Sequence, residues 1–303
     1  MPKVSVIVNI WNGAATLRDA LDSVLAQGFA DWELVAWDDR SSDGSAAIVA
    51  EYEDPRIRYF LSPEPTWLGA ARQNAIRQAS GEWLAFLDQD DVWLPDKLER
   101  QMPLAAGDVG MIYGRTLMFR PSGGRLRDYD YAHEFVPLPE GDIFQQLFSQ
   151  ACFIAMSSAL MRRSAVEEVG GIPANLDIIP DHFLYAAIAR RYQVRCTQAV
   201  VCRYRVHAAN MSRQNLGRMY EEELWMLDHF QQDLEPATFA YRRMTYSSAL
   251  ALVEMNHRDT AARGRKRLLR DGSWLWLAGR PLVRGWRALR RLVRTPYWQR
   301  VPS

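Results

Sequence analysis

Three carboxylates, Asp88, Asp90 and Asp91, fall within four residues at the end of the apolar run Trp83-Leu84-Ala85-Phe86-Leu87. Like charges at that spacing raise the cost of keeping all three ionised, so the cluster implies a cation, a ligand or full hydration. Mg²⁺ or Mn²⁺ suits the pattern, because both take hard oxygen ligands and bind through one or two carboxylates together with phosphate oxygens. A solvated acidic turn, with carboxylates accepting from backbone amides, is the plainer alternative. Of the three, Asp88 and Asp90 make the DxD-type pair expected to meet the cation, and Asp91 is expected to be a turn or helix-start residue.

Other residue types add to this chemistry. Asp38 and Asp39 suit acceptance of hydrogen bonds from a base edge or ribose, and equally an Asx turn and helix cap with Ser41, Ser42 and Asp43. Asp181 opens a helical run, where an Asp ordinarily caps orphan amides, although a carboxylate there can also serve as a general base. His207 follows Arg203, Tyr204 and Arg205, so it is either structural or a group that completes a metal site or touches phosphate. His133, His182, His229 and His257 form no constellation, and no paired-cysteine or paired-histidine spacing supports zinc.

The elements that position these groups alternate. Val4–Ile10 reads as a buried parallel strand, and a helix from Thr16 follows with Gly28 as its expected C-cap. Trp32–Trp37 is a second strand, Ala46–Tyr52 a helix, Ile57–Phe60 a third strand, Gly69–Ala79 a helix and Trp83–Leu87 a fourth strand. Such alternation predicts a doubly wound, mainly parallel sheet, in which ligands sit outside the carboxyl ends of the strands. Asn9 to Trp11, Asp38-Asp39 and Asp88-Gln89-Asp90-Asp91 should therefore share one rim. Further on, the pattern predicts a helix over Lys97–Leu104, strands over Gly110–Phe119 and Ser157–Met161, and a long loop or edge strands over Arg120–Pro139. A capping box at Ser164–Glu167 with Gly170 as helix stop, a helix after Asp181, closing strands over Val194–Val206 and helices over Glu221–Arg258 complete the chain.

The 303 residues, 48% hydrophobic, suffice for one large α/β domain with an appendage. From Arg263 onward there are 12 Lys+Arg against the single acid Asp271, so a mildly acidic body carries a basic end. In Pro281–Arg294, Leu282, Trp286, Leu289 and Val293 make one helical stripe, with arginines on another side. This amphipathic pattern fits contact with anionic lipid, with Trp274 and Trp276 as interface anchors, and also fits a packing helix or an acidic partner. Cys152, Cys196 and Cys202 form no CxxC pair, which suits a reducing cytoplasm. Met1–Val8 reads as a strand rather than a signal peptide, and no window reaches the roughly 18 apolar residues of a spanning helix.

Over residues 3 to 212 the chain resembles the family 2 glycosyltransferases. The resemblance rests on Val4-Ser5-Val6-Ile7-Val8, Ser23-Val24-Leu25-Ala26-Gln27, Asp38 to Gly44, Ala71-Arg72-Gln73-Asn74-Ala75-Ile76, Gly81 to Pro95 and Tyr204-Arg205-Val206-His207. It implies a GT-A type α/β domain with a Rossmann-like sheet over 1–215, split into a nucleotide-sugar half (1–110) and an acceptor half (111–215). A helical extension (216–270) and the basic Trp/Arg-rich tail (271–303) would follow. It further implies Asn9, Trp11, Asp38, Asp39, Arg72, Asp88, Gln89 and Asp90 as nucleotide-sugar-binding residues, and Asp90, Asp88 and His207 around Mn²⁺ or Mg²⁺. It raises Asp181, which follows the Gly170-Gly171 turn, to the expected catalytic base. The sequence departs from the family at Pro180, where Glu is usual, and at Asn9-Ile10-Trp11-Asn12, where Pro-Thr-Tyr-Asn is usual.

The implied activity is inverting transfer from a nucleotide-diphosphate sugar, a UDP-sugar by expectation, to a glycan or lipid-linked hydroxyl in cell-surface polysaccharide or lipopolysaccharide synthesis. Cytoplasmic location, with peripheral contact at the inner membrane face, is expected, and no nucleic-acid partner. A non-catalytic nucleotide-sugar-binding or scaffold subunit is the alternative. A dinucleotide dehydrogenase is disfavoured because no G-x-G-x-x-G follows the first strand.

Overall fold

Strand and helix alternate as the apolar periodicity requires, and the order in which the strands pair decides which polar ends meet. The computed structural model describes residues 1–119, 129–130, 137–149, 152–207, 210, 214–256 and 260–270. The chain divides into two compact units, one of residues 1–147 and 152–207, the other of 148–151 and 208–303.

In the first unit, β1 (Val4–Ile10), α1 (Leu17–Leu25), β2 (Trp32–Asp38), α2 (Ser45–Ala50), β3 (Ile57–Leu61), α3 (Leu68–Gln78) and β4 (Trp83–Phe86) follow in turn. Then come β5 (Val92–Trp93), α4 (Lys97–Gln101), β6 (Val109–Phe119), β7 (Tyr129–Asp130), α5 (Phe144–Ser149, of which 148–149 fall in the second unit), β8 (Leu160–Arg162), α6 (Arg163–Glu168), α7 (Pro180–Ala189) and β9 (Gln193–Arg205). Among the described residues the sheet runs β3-β2-β1-β4-β8-β6-β9-β5, with β7 on β6. The first four strands are mutually parallel, β8 is antiparallel to both neighbours, and β6 and β9 are parallel. β1, β2 and β4 are almost wholly buried, as continuous apolar runs in a covered parallel sheet must be. Val4, Val6, Val8 and Ile10 share a core with Leu34, Trp83 and Ala85, which α1 closes with Leu17, Leu21 and Val24.

One connection shapes the rim. The chain leaves β4 and, after only the segment 87–91, enters β5, which pairs antiparallel with β9 (Val92 with Arg203, Trp93 with Cys202). A link that short brings the carboxyl end of β9 back to the end of β4, although other strands separate them in the sheet.

Several local expectations are corrected. α1 stops at Leu25 with Ala26 as its C-cap, and Gly28 instead makes room for the Glu99 carboxylate. Residues 156–158 form a 3-10 turn before the short β8, so the strand begins later than its apolar pattern suggests. Ser164 lies inside α6, whose N-cap is Arg162 with no side-chain cap, so no capping box forms. Val92–Trp93, to which the apolar pattern assigns no element, forms β5 because β9 offers it a partner. Gly170 does stop its helix, at a φ of +84° that suits glycine.

The second unit contains α8 (Leu216–His229), α9 (Pro236–Met255) and α10 (Ala261–Arg270), α8 packing on α9 and α9 on α10. Gly264 lets α10 approach the Ala251 carbonyl, and Arg267 forks onto the buried Glu254 carboxylate at 3.1 and 3.2 Å. The amphipathic stretch 281–294 lies outside the described residues, as does most of the loop 120–136. Among the described residues no helix is long and apolar enough to cross a membrane.

At the amino ends of the strands, Glu33 ties β1, β2, β3 and the turn before β4. Its carboxylate accepts from Ser5 Oγ (2.6 Å), Ser80 N (2.6 Å), Ser80 Oγ (2.8 Å) and Arg58 Nη1 (2.8 Å). Burial opposes its ionisation, but these donors outweigh burial and lower its pKa from 4.5 to about 2. Because the folded value lies below the unfolded one, this stabilisation is complete above pH 4.5 and disappears as pH falls toward 2. Urea unfolding between pH 6 and pH 2 should show that loss, and Glu33→Gln should lower stability at pH 7 by about 1–3 kcal/mol and flatten the pH dependence.

Candidate active site

The carboxyl ends of β2, β1 and β4 lie side by side, so Asp38-Asp39, Asn9 to Trp11 and Asp88 to Asp91 occupy one rim. Side-chain bonds stitch its loops. Asn12 Oδ1 accepts from Ser42 N (2.8 Å), Ser41 Oγ from Asn12 N (3.0 Å), and Asp43 Oδ2 from Ala14 N (2.9 Å). Asn12 holds φ at +50°, a conformation Asn tolerates better than most residues. Gln89 grips the Trp11 backbone: its Oε1 accepts from Trp11 N (2.9 Å) and its Nε2 donates to Trp11 O (3.0 Å).

The two readings of Asp38-Asp39 separate. Asp38 forms the Asx turn, its Oδ1 accepting from Ser41 N (2.7 Å), and its Oδ2 accepts from Tyr59 OH (2.8 Å). Asp39 accepts from Thr66 N and Thr66 Oγ1, while its own N–H donates to Ile10 O (2.8 Å). Trp11, next to Ile10, is 61% exposed, and Trp67, next to Thr66, is 65% exposed. Trp67 carried no periodic or motif signal. Asn9 Nδ2 is sealed from solvent without a hydrogen-bond partner among the described residues.

The three acids of the opening cluster take three different roles. Asp90 Oδ2 lies 2.7 Å from His207 Nε2, so the two residues meet across 117 positions of chain. Asp88 pairs with Arg72 Nη2 at 2.7 Å. Asp91, expected at a turn or helix start, is 1% exposed and joins three segments: its carboxylate accepts from Ser157 Oγ (2.5 Å) and Arg205 N (2.9 Å). Ser157 Oγ in turn accepts from Asp88 N (3.1 Å). Burial and then the charges of Asp90 and Asp88 push the Asp91 carboxyl well above its usual range. Burial also raises Asp88, with Asp90 adding to the rise and Arg72 opposing it. Tyr204 was missed as a site residue; burial, then the charges of Asp91, Asp90, Asp88 and Asp181, drive its hydroxyl well above the ordinary range.

α3 connects this cluster to Asp181. Asp177 Oδ1 accepts from Leu68 N (3.0 Å) at the start of α3, and Gln73 Oε1 accepts from Ile172 N (2.8 Å). Gly69 has no side chain to obstruct the Leu176 carbonyl, so loop 171–177 seats on the helix. That loop leads into α7, where Ile179 is the N-cap and Pro180 and Asp181 fill the first turn. Proline suits such a position because its missing N–H has no intrahelical partner to lose. Asp181 is therefore not the N-cap; its Oδ1 accepts from the adjacent His182 N at 2.9 Å. Arg72 is buried on α3; burial opposes its charge, and Asp88, then Asp181, outweigh burial and raise its pKa. Arg72, Asp88 and Asp181 thus form one electrostatic group.

The residues present fit a divalent cation bound with phosphate. Asp90 and His207 offer one carboxylate and one imidazole, and the Asp88 carboxyl paired with Arg72 belongs to the same charge cluster. Among the described residues no group of three or more His, Cys, Asp and Glu is placed to hold an ion alone. Two protein donors plus ligand oxygens is the mode such ions favour.

A family model described as glycosyl transferase family 2 matches residues 5–170, more than half of the chain. An Escherichia coli relative, UDP-Glc:alpha-D-GlcNAc-diphosphoundecaprenol beta-1,3-glucosyltransferase WfgD, is 38% identical over 112 residues, 37% of this chain and 44% of the relative. The chain thus covers less than half of that relative's length. The crystal structure of S. aureus TarS 1-349 superposes with a TM-score of 0.62 at 18% identity, covering 80% of this chain and 70% of that one. Mannosyltransferase PcManGT from Pyrobaculum calidifontis, in complex with GDP-Man and Mn²⁺, gives 0.61 at 21% identity, covering 96% and 85%. At these identities the likeness establishes the fold, which is the GT-A fold expected from the sequence.

Ser157→Ala removes the hydroxyl donor to Asp91 and the acceptor for Asp88 N–H. Urea unfolding at pH 7 should show a loss of about 1–3 kcal/mol, the cost of buried groups left without partners.

Proposed function

The chain belongs to glycosyl transferase family 2, and on that premise we propose that it transfers a sugar from a nucleotide-diphosphate donor, a UDP-sugar, to a hydroxyl of a glycan or lipid-linked acceptor, with inversion. The observation that carries this reading is the meeting of Asp90 with His207 beside the Asp88–Arg72 pair, with Asp181 electrostatically joined to both Arg72 and Asp88. A diphosphate ligand and a proton acceptor could then be served from one charge cluster. The E. coli relative's name specifies a UDP-glucose donor and a diphosphoundecaprenol-linked acceptor. That supports the donor class, the lipid-linked acceptor and a role in cell-surface glycan assembly. The PcManGT complex with Mn²⁺ supports the cation.

In this mechanism Asp39 reads the base through the lone pairs that Thr66 leaves open, and Trp11 lies against it. Asp88 meets the ribose while bonded to Arg72, and Asp90 with His207 would hold Mn²⁺ or Mg²⁺. When bound, the cation supplies positive charge against the diphosphate leaving group. Asp181 takes the proton of the acceptor hydroxyl as its oxygen bonds to the anomeric carbon. The opposite bond to the diphosphate oxygen breaks and its electron pair leaves with the nucleotide. Charge at the carbon passes through an oxocarbenium-like state, so no covalent enzyme intermediate is needed. Residues 1–110 serve the donor and 111–215 the acceptor, with 216–270 as a helical extension. The basic tail 271–303 touches anionic lipid, placing the enzyme at the inner membrane face, where a lipid-linked acceptor would lie.

Product formation by purified protein with a panel of nucleotide sugars and acceptors tests the activity against the non-catalytic alternative. Calorimetry should show that Asp90→Ala loses Mn²⁺-dependent UDP binding; unchanged binding would remove Asp90 from the metal site. Asp181→Asn should retain UDP binding while kcat falls by about 10²–10⁴, the range of a general base. In liposome flotation with anionic vesicles, removal of 271–303 should abolish recovery with the lipid, and equal recovery would end the membrane assignment.

A further inference from the structure

Arg205, the last residue of β9, holds the segment that carries Asp90. Its Nε donates to the Asp90 carbonyl oxygen (2.8 Å), and its backbone N–H donates to the Asp91 carboxylate (2.9 Å). The far end of its guanidinium pairs with Asp19 of α1 through Nη2 (2.8 Å), and its carbon lies 4.8 Å from the Phe119 ring centroid. The side chain is 13% exposed, whereas Asp19 is 59% exposed.

These contacts determine how one peptide unit is oriented. The amide joining Asp90 to Asp91 presents its carbonyl to Arg205 Nε and its N–H to the Asp88 carbonyl (3.0 Å). With both ends held, the plane cannot swing, and the Cα that bears the Asp90 carboxylate is aimed before any ligand arrives. Two residues along the same strand end, His207 meets that carboxylate itself. A planar fork suits the task. Nε and Nη2 reach two acceptors on different elements while the flat face lies against an aromatic ring, an arrangement that a lysine's single ammonium cannot reproduce.

We propose that Arg205 is a positioning residue that preorganises the Asp90 carboxylate for the divalent cation and its diphosphate. This rests on the metal reading of Asp90 given above. Arg205 acts through the backbone of Asp90 and through Asp91, not by touching phosphate. Loss of a group that orients a metal ligand commonly weakens metal affinity about 10- to 100-fold.

The test measures Mn²⁺ affinity in the presence of UDP, by calorimetry or by the electron paramagnetic resonance signal of free Mn²⁺, for the full chain and for Arg205→Ala, Arg205→Lys and Asp19→Asn. UDP affinity in EDTA and the thermal midpoint are recorded for each. Arg205→Ala should weaken Mn²⁺ binding about 10- to 100-fold. Arg205→Lys should restore only part of that loss, and Asp19→Asn should weaken binding by a smaller factor, with metal-free UDP affinity unchanged throughout. Asp19 is exposed, so its variant keeps the measurement informative should Arg205→Ala fail to fold. Lowered thermal midpoints with unaltered Mn²⁺ affinity would assign Arg205 a structural role only and overturn the proposal. A drop in UDP affinity in EDTA would overturn it in favour of direct phosphate contact. Failure of the underlying reading shows differently: the unaltered chain would then bind no Mn²⁺ with UDP, and the proposal would fall with it.

Discussion

The buried Asp91 carboxylate, held by the Ser157 hydroxyl and the Arg205 N–H, is the interaction on which the rim depends. A polar group in a dry interior is costly unless its partners are in place, so the three segments it joins have little freedom to drift apart. Those segments are the end of β4, the 3-10 turn before β8 and the end of β9. Trp93 reinforces the same junction, its indole N–H donating to Ser157 O at 2.7 Å. A carboxylate in a motif normally read as ligand-facing here faces inward and aligns its two neighbours.

Topology explains why the junction is possible. β9 reaches the end of β4 because β5 follows so closely along the chain and pairs with it. His207 is delivered to Asp90 by this path, and no local pattern around either residue announces the other. On the opposite side, α3 plays the matching part: it carries Arg72 to Asp88 and offers the seat on which the loop before Asp181 is fixed. Asp88 and the loop before Asp181 are thus referenced to one helix.

Electrostatically, the site holds more negative charge than its own cations balance. Arg72 neutralises part of the field of Asp88 and Asp181, whereas Asp91 and Tyr204 are driven toward their neutral forms by burial and by the surrounding carboxylates. A charge cluster in that condition attracts positive charge, and the proposed metal-diphosphate ligand would meet it while bringing phosphate oxygens as additional ligands.

The alternation of strands and helices, the shared rim of Asn9, Asp39 and Asp90, and the family are all legible in the amino-acid order. Each of these follows from short-range information: apolar runs with period, polar breaks at strand ends, and motifs within a few residues. Roles within those motifs were not legible. Asp38 and Asp39 are neighbours of one residue type, yet Ser41 and Tyr59 claim the first and Thr66 the second, and Tyr59 and Thr66 arrive only through the fold. Gln89 receives the Trp11 backbone as its partner, and Asp91, whose N–H closes the turn onto Asp88 O, receives Ser157. These assignments come from the fold, because a side chain's hydrogen-bond partner depends on which distant backbone folding brings within about 3 Å, a distance local sequence does not encode.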